Sequence, residues 1–445
     1  MSDLVTAERA APVERCLAQH EAFAADGARS APGWLRDVRS AALARFAELG
    51  FPTTRQEEWR FTSVEPITAT AFGVAAPAEA PAGLLGPARV PVAARLVFVN
   101  GRYAAGHSSV AALPAGIRVE SLAAALRGRA AGVLERHLGQ AAPPANAFAA
   151  LNTAFLDDGA LVHVARGTDL DAPIEIVFLT VASAPAVTHP RCLVVVEEGA
   201  RASVLERYAG AAGPYWTNAV SDLELGAGAH LELTRLQQDA PGAFHVATTR
   251  SRQARDSVLR VHPIVLGAAL ARHDITNVLD GPGAELVLNG LYLLGGRQHA
   301  DHHTVIDHAQ PDCQSHEYFN GVLDGRARGV FNGRIVVRPG AQRTDSKQTN
   351  HNLVLSEEAR ADSQPQLEIY ADDVKCTHGA TLGPLDPKEL FYLQSRGLAP
   401  AEARALLTYG FGGEILGRVR HAGVRASLEA LVRARLAAGH VAEAA

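Results

Sequence analysis

A Gly-Ala dipeptide returns at Gly199-Ala200, Gly228-Ala229, Gly283-Ala284 and Gly340-Ala341, with gaps of 29, 55 and 57 residues. Those gaps are close to one or two multiples of a single unit, and a fixed period of this size marks a solenoid. In a solenoid each rung hides its apolar face only by stacking on the next. Between the turns lie short runs rich in Val, Leu, Ile and Thr, among them Leu193–Val196, Leu231–Thr234, Leu286–Asn289, Arg334–Val337 and Leu367–Tyr370. Helical periodicity is nearly absent from about 160 to 383, so the rungs are strands and the expected fold is a parallel β-helix. A β-sandwich with evenly spaced turns is the alternative that texture alone leaves open. Residues 299–352 are dense in His, Asn, Gln and Asp, as expected of stacked rungs that expose one face.

Both flanks change period. Trp34, Leu35, Val38, Ala42 and Phe46 recur on one helical face, and Gly50 and Pro52 stop that helix. Leu96–Tyr103 reads as a hairpin turning at Asn100-Gly101. Further helices are expected around 120–127 and 145–155. Past residue 383, Asp386 is placed to cap a helix that begins at Pro387, with Glu389 completing a capping box. Gly397 ends that helix, a second runs from Pro400 to near Gly410, and a third carries Ile415, Leu416 and Val419. A last helix puts Leu428, Leu431, Val432 and Leu436 on one stripe. The chain therefore divides into a mostly helical part with a small hairpin (1–155), a β-helix (156–383) and a C-terminal helical part (384–445) that caps the stack.

At 445 residues, 47% hydrophobic and 20% charged, the chain can bury a large core. A net charge of −5 with no long run of one sign argues against a nucleic-acid binder. Cys16, Cys192, Cys313 and Cys376 are scattered, without a CxxC pair, which argues against a disulfide framework and against a four-thiolate zinc site. The N-terminus has no apolar signal core, and no stretch approaches the roughly 20 apolar residues of a membrane helix. The expected location is cytoplasmic.

From about residue 290 onward the sequence resembles the SufB/SufD family of iron–sulfur cluster assembly scaffolds. The resemblance is carried by Asp307–Cys313, Phe331–Gln342, Thr344–His351, Pro365–Tyr370, Phe391–Gly397 and Ala403–Leu407, and most sharply by Ala371-Asp-Asp-Val-Lys-Cys-Thr-His-Gly-Ala-Thr-Leu-Gly383. It is to the SufD type: the SufB-like motif has Glu after Cys-x-His, where this chain has Gly379, and Pro52–Thr62 resembles a SufD stretch that SufB lacks. Within that stretch Trp59 is expected to be a core aromatic. The resemblance implies a right-handed parallel β-helix between helical ends, mainly β overall. It implies a non-catalytic subunit that pairs with a SufB-like paralogue through the β-helix. Its C-terminal helices would dock a SufC-like ATPase, which hydrolyses the ATP. A homodimer when alone, and a reduced flavin in the complex, are further associations of such proteins; the sequence carries no flavin fingerprint.

Cys376 and His378 lie two residues apart in an expected strand, so they share a face with Cα atoms roughly 6–7 Å apart. A thiolate and an imidazole are both ordinary iron ligands and can converge on one metal. Two ligands do not hold a cluster, so the rest must come from another chain. The resemblance implicates the histidine matching His378 at the SufB–SufD interface, in a transient iron–sulfur cluster. Cys376 is either a second ligand or a small buried hydrophobe. Other candidates fail on geometry. His299 and His303 face one way along their strand and His302 and His308 the other, which favours structural hydrogen bonding. Cys313 and His316 oppose each other and are taken as structural, Cys192 as core, and Cys16 as lying on a helix surface.

Enzyme machinery is missing from the motifs. There is no Gly-rich phosphate loop closing in Gly-Lys-Ser/Thr and no nucleophile elbow. Asp372 and Asp373 could mimic the paired carboxylates of a β-helical carbohydrate-active enzyme, but adjacent strand residues point apart, so a turn role is favoured. That enzyme, and a SufB-type scaffold, are the alternatives carried forward.

Overall fold

A computed structural model describes residues 2–25, 31–86, 90–110, 113–140 and 144–437. The chain winds into a solenoid of parallel strands, two per rung, whose partners form two sheets. Along the first sheet the strands run Arg360–Ile369, Arg328–Val337, His299–His308, Leu270–Leu279, Phe244–Gln253, Tyr215–Leu225, Arg191–Val196, Ala160–Val164 and Ile117–Ser121. Along the second they run Val374–Gly383, Thr344–Val354, Gln314–Leu323, Glu285–Leu294, Val258–Val265, His230–Gln238, Arg201–Gly210, Ile174–Thr180 and Ala94–Val99. Arg201 pairs with His230, His230 with Val258, Val258 with Glu285, Glu285 with Gln314 and Gln314 with Asp345, so each rung advances the numbering by 27–31 residues. The repeat read from the Gly-Ala turns is this rung.

The turns explain why the repeat looked broken. Gly199, Gly228 and Gly283 have positive φ, and the alanine after each is fully buried. Two intervening rungs make the same turn with Asp256-Ser257 and Asp312-Cys313, where the aspartates take the left-handed conformation at φ 56° and 62°. Asp tolerates that region better than most residues, so the unit persists without its glycine. At Gly340-Ala341 the alanine is buried as elsewhere, but the positive φ has moved to Arg343.

Alternate side chains of both sheets meet inside the stack. Val194, Val204, Leu233, Val261, Leu288, Ile306 and Ile335 belong to this one core, which Cys192 and Cys313 share. The polar density of residues 299–352 is divided between the two faces: His299, His303, Asp307, Gln314, His316, Asp345 and His351 are half-buried or exposed on the outer side, as expected, while His302, Thr304, His308, Ser315, Glu317, Ser346, Gln348, Asn350 and Asn352 are buried inside the stack. Several of the buried ones bond across rungs, for example Asn350 Nδ2 to Tyr292 Oη at 3.1 Å and Tyr292 Oη to Asn352 Oδ1 at 2.6 Å, while His302 has no hydrogen-bond partner among the described residues and stacks on the Tyr292 ring.

Helices cover the outer faces. The helix Gly33–Leu49 ends at Gly50 (φ 60°) and joins Ala147–Ala154 and Trp59 over Val187, Trp216, Val246 and Leu270 of the first sheet. Trp59 also lies under the Arg272 guanidinium, 3.6 Å from its ring centre. The N-terminal part supplies strands as well: Ala94–Val99 extends the second sheet and turns at Asn100-Gly101 into Arg102–Tyr103. At the other end, Asp386 caps the helix Pro387–Ser395 through the Lys388 N–H at 2.8 Å. Glu389 sits in the first turn, and the expected reciprocal bond back to the cap does not form. The next helix runs unbroken from Pro400 to Leu416, so three helices replace the expected four. Gly410, Gly412 and Gly413 fail to stop it because it is clamped to the solenoid: Asn320 donates to the Phe411 carbonyl at 2.9 Å, and Ile415 and Leu416 are buried on Leu291 and Val322. This packing, with Ala422–Ala437 behind it, lies on the outer flank of the second sheet, and among the described residues the end of the stack is left uncapped. Residues 438–445 of the expected C-terminal part lie outside the described residues.

Candidate functional site

The last rung is where the stack stops. Val374–Gly383 pairs with Thr344–Val354 on one side, and among the described residues no strand pairs with its other side. Arg360–Ile369 ends the first sheet in the same way. Two bare strand edges therefore lie at one end of the molecule, each with backbone N–H and C=O groups free for another strand. Apolar side chains accompany them, with Tyr370 and Leu382 each 61% exposed.

Cys376 and His378 both sit on Val374–Gly383, and register fixes which way they face. Cys376 pairs with Ser346 and His378 with Gln348, both inward-facing and buried. Parallel partners share a face, so both candidate ligands belong to the inner side of the stack, at its open end. Cys376 is half-buried against the solenoid core. Burial, with nearby Asp345, pushes its thiol above the usual cysteine range, so a metal would have to displace the proton on binding. His378 is exposed. Among the described residues no group of three or more His, Cys, Asp or Glu side chains is arranged to hold a metal ion.

Two lines of hydrogen bonds run up the interior to these positions. In one, His308 Nε2 meets Ser315 Oγ at 2.9 Å and Ser315 Oγ meets Ser346 Oγ at 2.8 Å, beneath Cys376. In the other, Gln348 Nε2 donates to Glu317 Oε2 at 2.7 Å, beneath His378. Burial raises the Glu317 carboxyl to about 7. Nothing short of the rung register would have singled out Glu317 and Gln348 in the sequence.

The remaining candidates take structural places. His302 and His308 face inward, and burial lowers each to about 4, which keeps them neutral. His299 and His303 lie on the outer face, where Thr62 bonds both His299 and Asp301, and His303 pairs with Asp301 at 3.0 Å. The histidine-rich strand is thus the landing surface of the Pro52–Thr62 stretch. Cys313 is buried, with its thiol on the Gly281 carbonyl at 3.3 Å, while His316 faces the other way and is half-buried. Cys16 is not a surface thiol: it is half-buried against the N-terminal helical core, and burial pushes it up to about 11. Asp372 and Asp373 are exposed in the turn before the last strand, where the Asp373 carbonyl accepts from Arg343 N at 2.6 Å.

Fold and site together place the chain in the class of helix-flanked parallel β-solenoids. Within that class the comparisons are specific. The family described as "SUF system FeS cluster assembly, SufBD core domain" matches residues 178–411, and the "SufBD protein N-terminal region" matches residues 20–176. An iron–sulfur cluster assembly SufBD family protein of Synechocystis is 36% identical over 90% of this chain and 91% of its own length. The iron–sulfur cluster assembly protein SufD of Escherichia coli is 30% identical over 94% of this chain and 96% of its own, and the Bacillus subtilis SufD is 26% identical over 64% and 66%. The chain belongs to the SufBD family of the SUF iron–sulfur cluster assembly system.

Proposed function

We propose that this chain is the SufD-type subunit of a cluster assembly scaffold, and that the open end of its solenoid is where a nascent cluster is built. A SufB-like paralogue pairs with the bare edges of Arg360–Ile369 and Val374–Gly383 and contributes the ligands this chain lacks. His378, with Cys376 beside it, supplies this chain's share of the coordination of a cluster that is cargo and leaves with an acceptor protein. The chain itself is not a catalyst. ATP is hydrolysed by a SufC-like partner docked on the C-terminal helices, where Phe391 and Tyr392 are exposed and Leu406, with Leu355, Tyr409, Arg433 and Leu436, lines a groove of about 580 Å³. In the absence of the paralogue the same edges accept a second copy of this chain. The reduced flavin associated with such complexes has no assigned residues here.

The observation that carries this reading is the position of His378: exposed, on the strand that ends the second sheet with its far edge unpaired among the described residues, on the face where a partner would close the stack. The test is His378→Ala in the complex co-expressed with paralogue and ATPase, reconstituted anaerobically with iron and sulfide. Cluster absorbance and Mössbauer intensity are expected to fall at least fivefold, while co-purification of the partners is unchanged. Wild-type cluster yield from the variant would remove His378 from the mechanism.

A further inference from the structure

What lies directly beneath His378 is a buried amide with one end unused. Gln348 is 1% exposed and is the register partner of His378. Its Nε2 is committed to Glu317 Oε2, 2.7 Å away in the rung below. Its Oε1 has no hydrogen-bond partner among the described residues, and a buried acceptor left unpaired costs about 1–3 kcal/mol. The space for the amide is kept by Gly333, where a Cβ would come within 2.1 Å of Gln348 Nε2. The amide is therefore held by the stack, with its nitrogen spent on the rung below and its oxygen without a partner among the described residues, one register position beneath His378.

We propose that Gln348, anchored by Glu317, is the positioning residue of His378: Gln348 Oε1 accepts the N–H of one imidazole nitrogen as the partner closes the open end, and the other nitrogen turns its lone pair to the iron. A metal-bound histidine nearly always donates its second N–H to a carboxylate or carbonyl, which fixes the tautomer and the ring orientation. Here the acceptor is an amide oxygen, and the Glu317 carboxyl sits one rung further in. The idea rests on the reading of His378 as a ligand.

The test uses the assembled complex with ring-15N histidine in this chain only, before metal is added. In the wild type His378 is expected as a single tautomer. Gln348→Met should give the mixed tautomers of a free imidazole and a cluster yield reduced about tenfold, within the range usual for lost outer-shell partners. The reversed pair Glu317→Gln with Gln348→Glu keeps the inner hydrogen bond and still presents an oxygen to His378, so it should restore both the tautomer and the yield. An unchanged His378 tautomer in Gln348→Met, or a mixed one in the reversed pair, would overturn the inference. The His378→Ala complex separates the two ideas: wild-type cluster yield there sinks the ligand reading, whatever the tautomer shows.

Discussion

Inside a stack whose neighbouring strands lie about 4.8 Å apart, each inward side chain is pressed between those of the rungs before and after it. A polar residue there must find its partner among them or stay unpaired. Glu317 illustrates the cost. Its carboxyl is held protonated up to about pH 7, because burial penalises the anion more than the Gln348 N–H stabilises it. In the unfolded chain the same group loses its proton near 4.3. Between those values the folded state keeps a proton that the unfolded state has released, so stability falls as pH rises, by on the order of 3 kcal/mol once pH 7 is passed. Glu317→Gln is neutral throughout and has nearly the same shape. Its melting temperature should match wild type near pH 4.5 and exceed it at pH 8; an equal difference at both pH values would contradict the assignment.

At the scale of elements, glycine does two jobs. In the turns it supplies positive φ, and aspartate can take its place. Within strands it makes room: a Cβ on Gly290 would lie 2.1 Å from the Phe319 ring, and one on Gly321 equally close to Tyr292. Gly290→Ala should therefore cost about 1–3 kcal/mol by overpacking, read as a lower denaturation midpoint, whereas wild-type stability would show that the rings have slack. The repeat, the helix Gly33–Leu49, the hairpin at Asn100-Gly101 and the pairing of Cys376 with His378 on one face were all legible from local pattern, because each depends on periodicity or turn chemistry. What was hidden depends on contacts distant in sequence. Gly410 reads as a helix stop until the Asn320 side chain and Leu291 are seen holding that helix on the sheet. Which half of the polar run 299–352 points into the stack, Gln348, Asn350 and Asn352 among it, shows only in the register of the rungs. Gln348 becomes conspicuous only once the last rung's offset sets it beneath His378.

For the molecule as a whole, the helices decide where the solenoid is open. N-terminal helices cover the outer face of the first sheet, the helices Pro400–Leu416 and Ala422–Ala437 cover that of the second, and among the described residues neither group closes the last rung. Natural edge strands are normally blunted or covered. Arg360–Ile369 carries Pro365, and Val374–Gly383 carries Lys375, yet Tyr370 and Leu382 remain exposed beside them. An end kept open in this way, with an imidazole on its inner face, is what a shared assembly site requires of one partner. The most direct measurement is amide hydrogen exchange on this chain, alone at low concentration and then bound to a SufB-like paralogue. Residues 360–369 and 374–383 should exchange readily alone and become strongly protected in the complex. Protection confined to other strands or to the helices, with 374–383 still exchanging, would contradict the account.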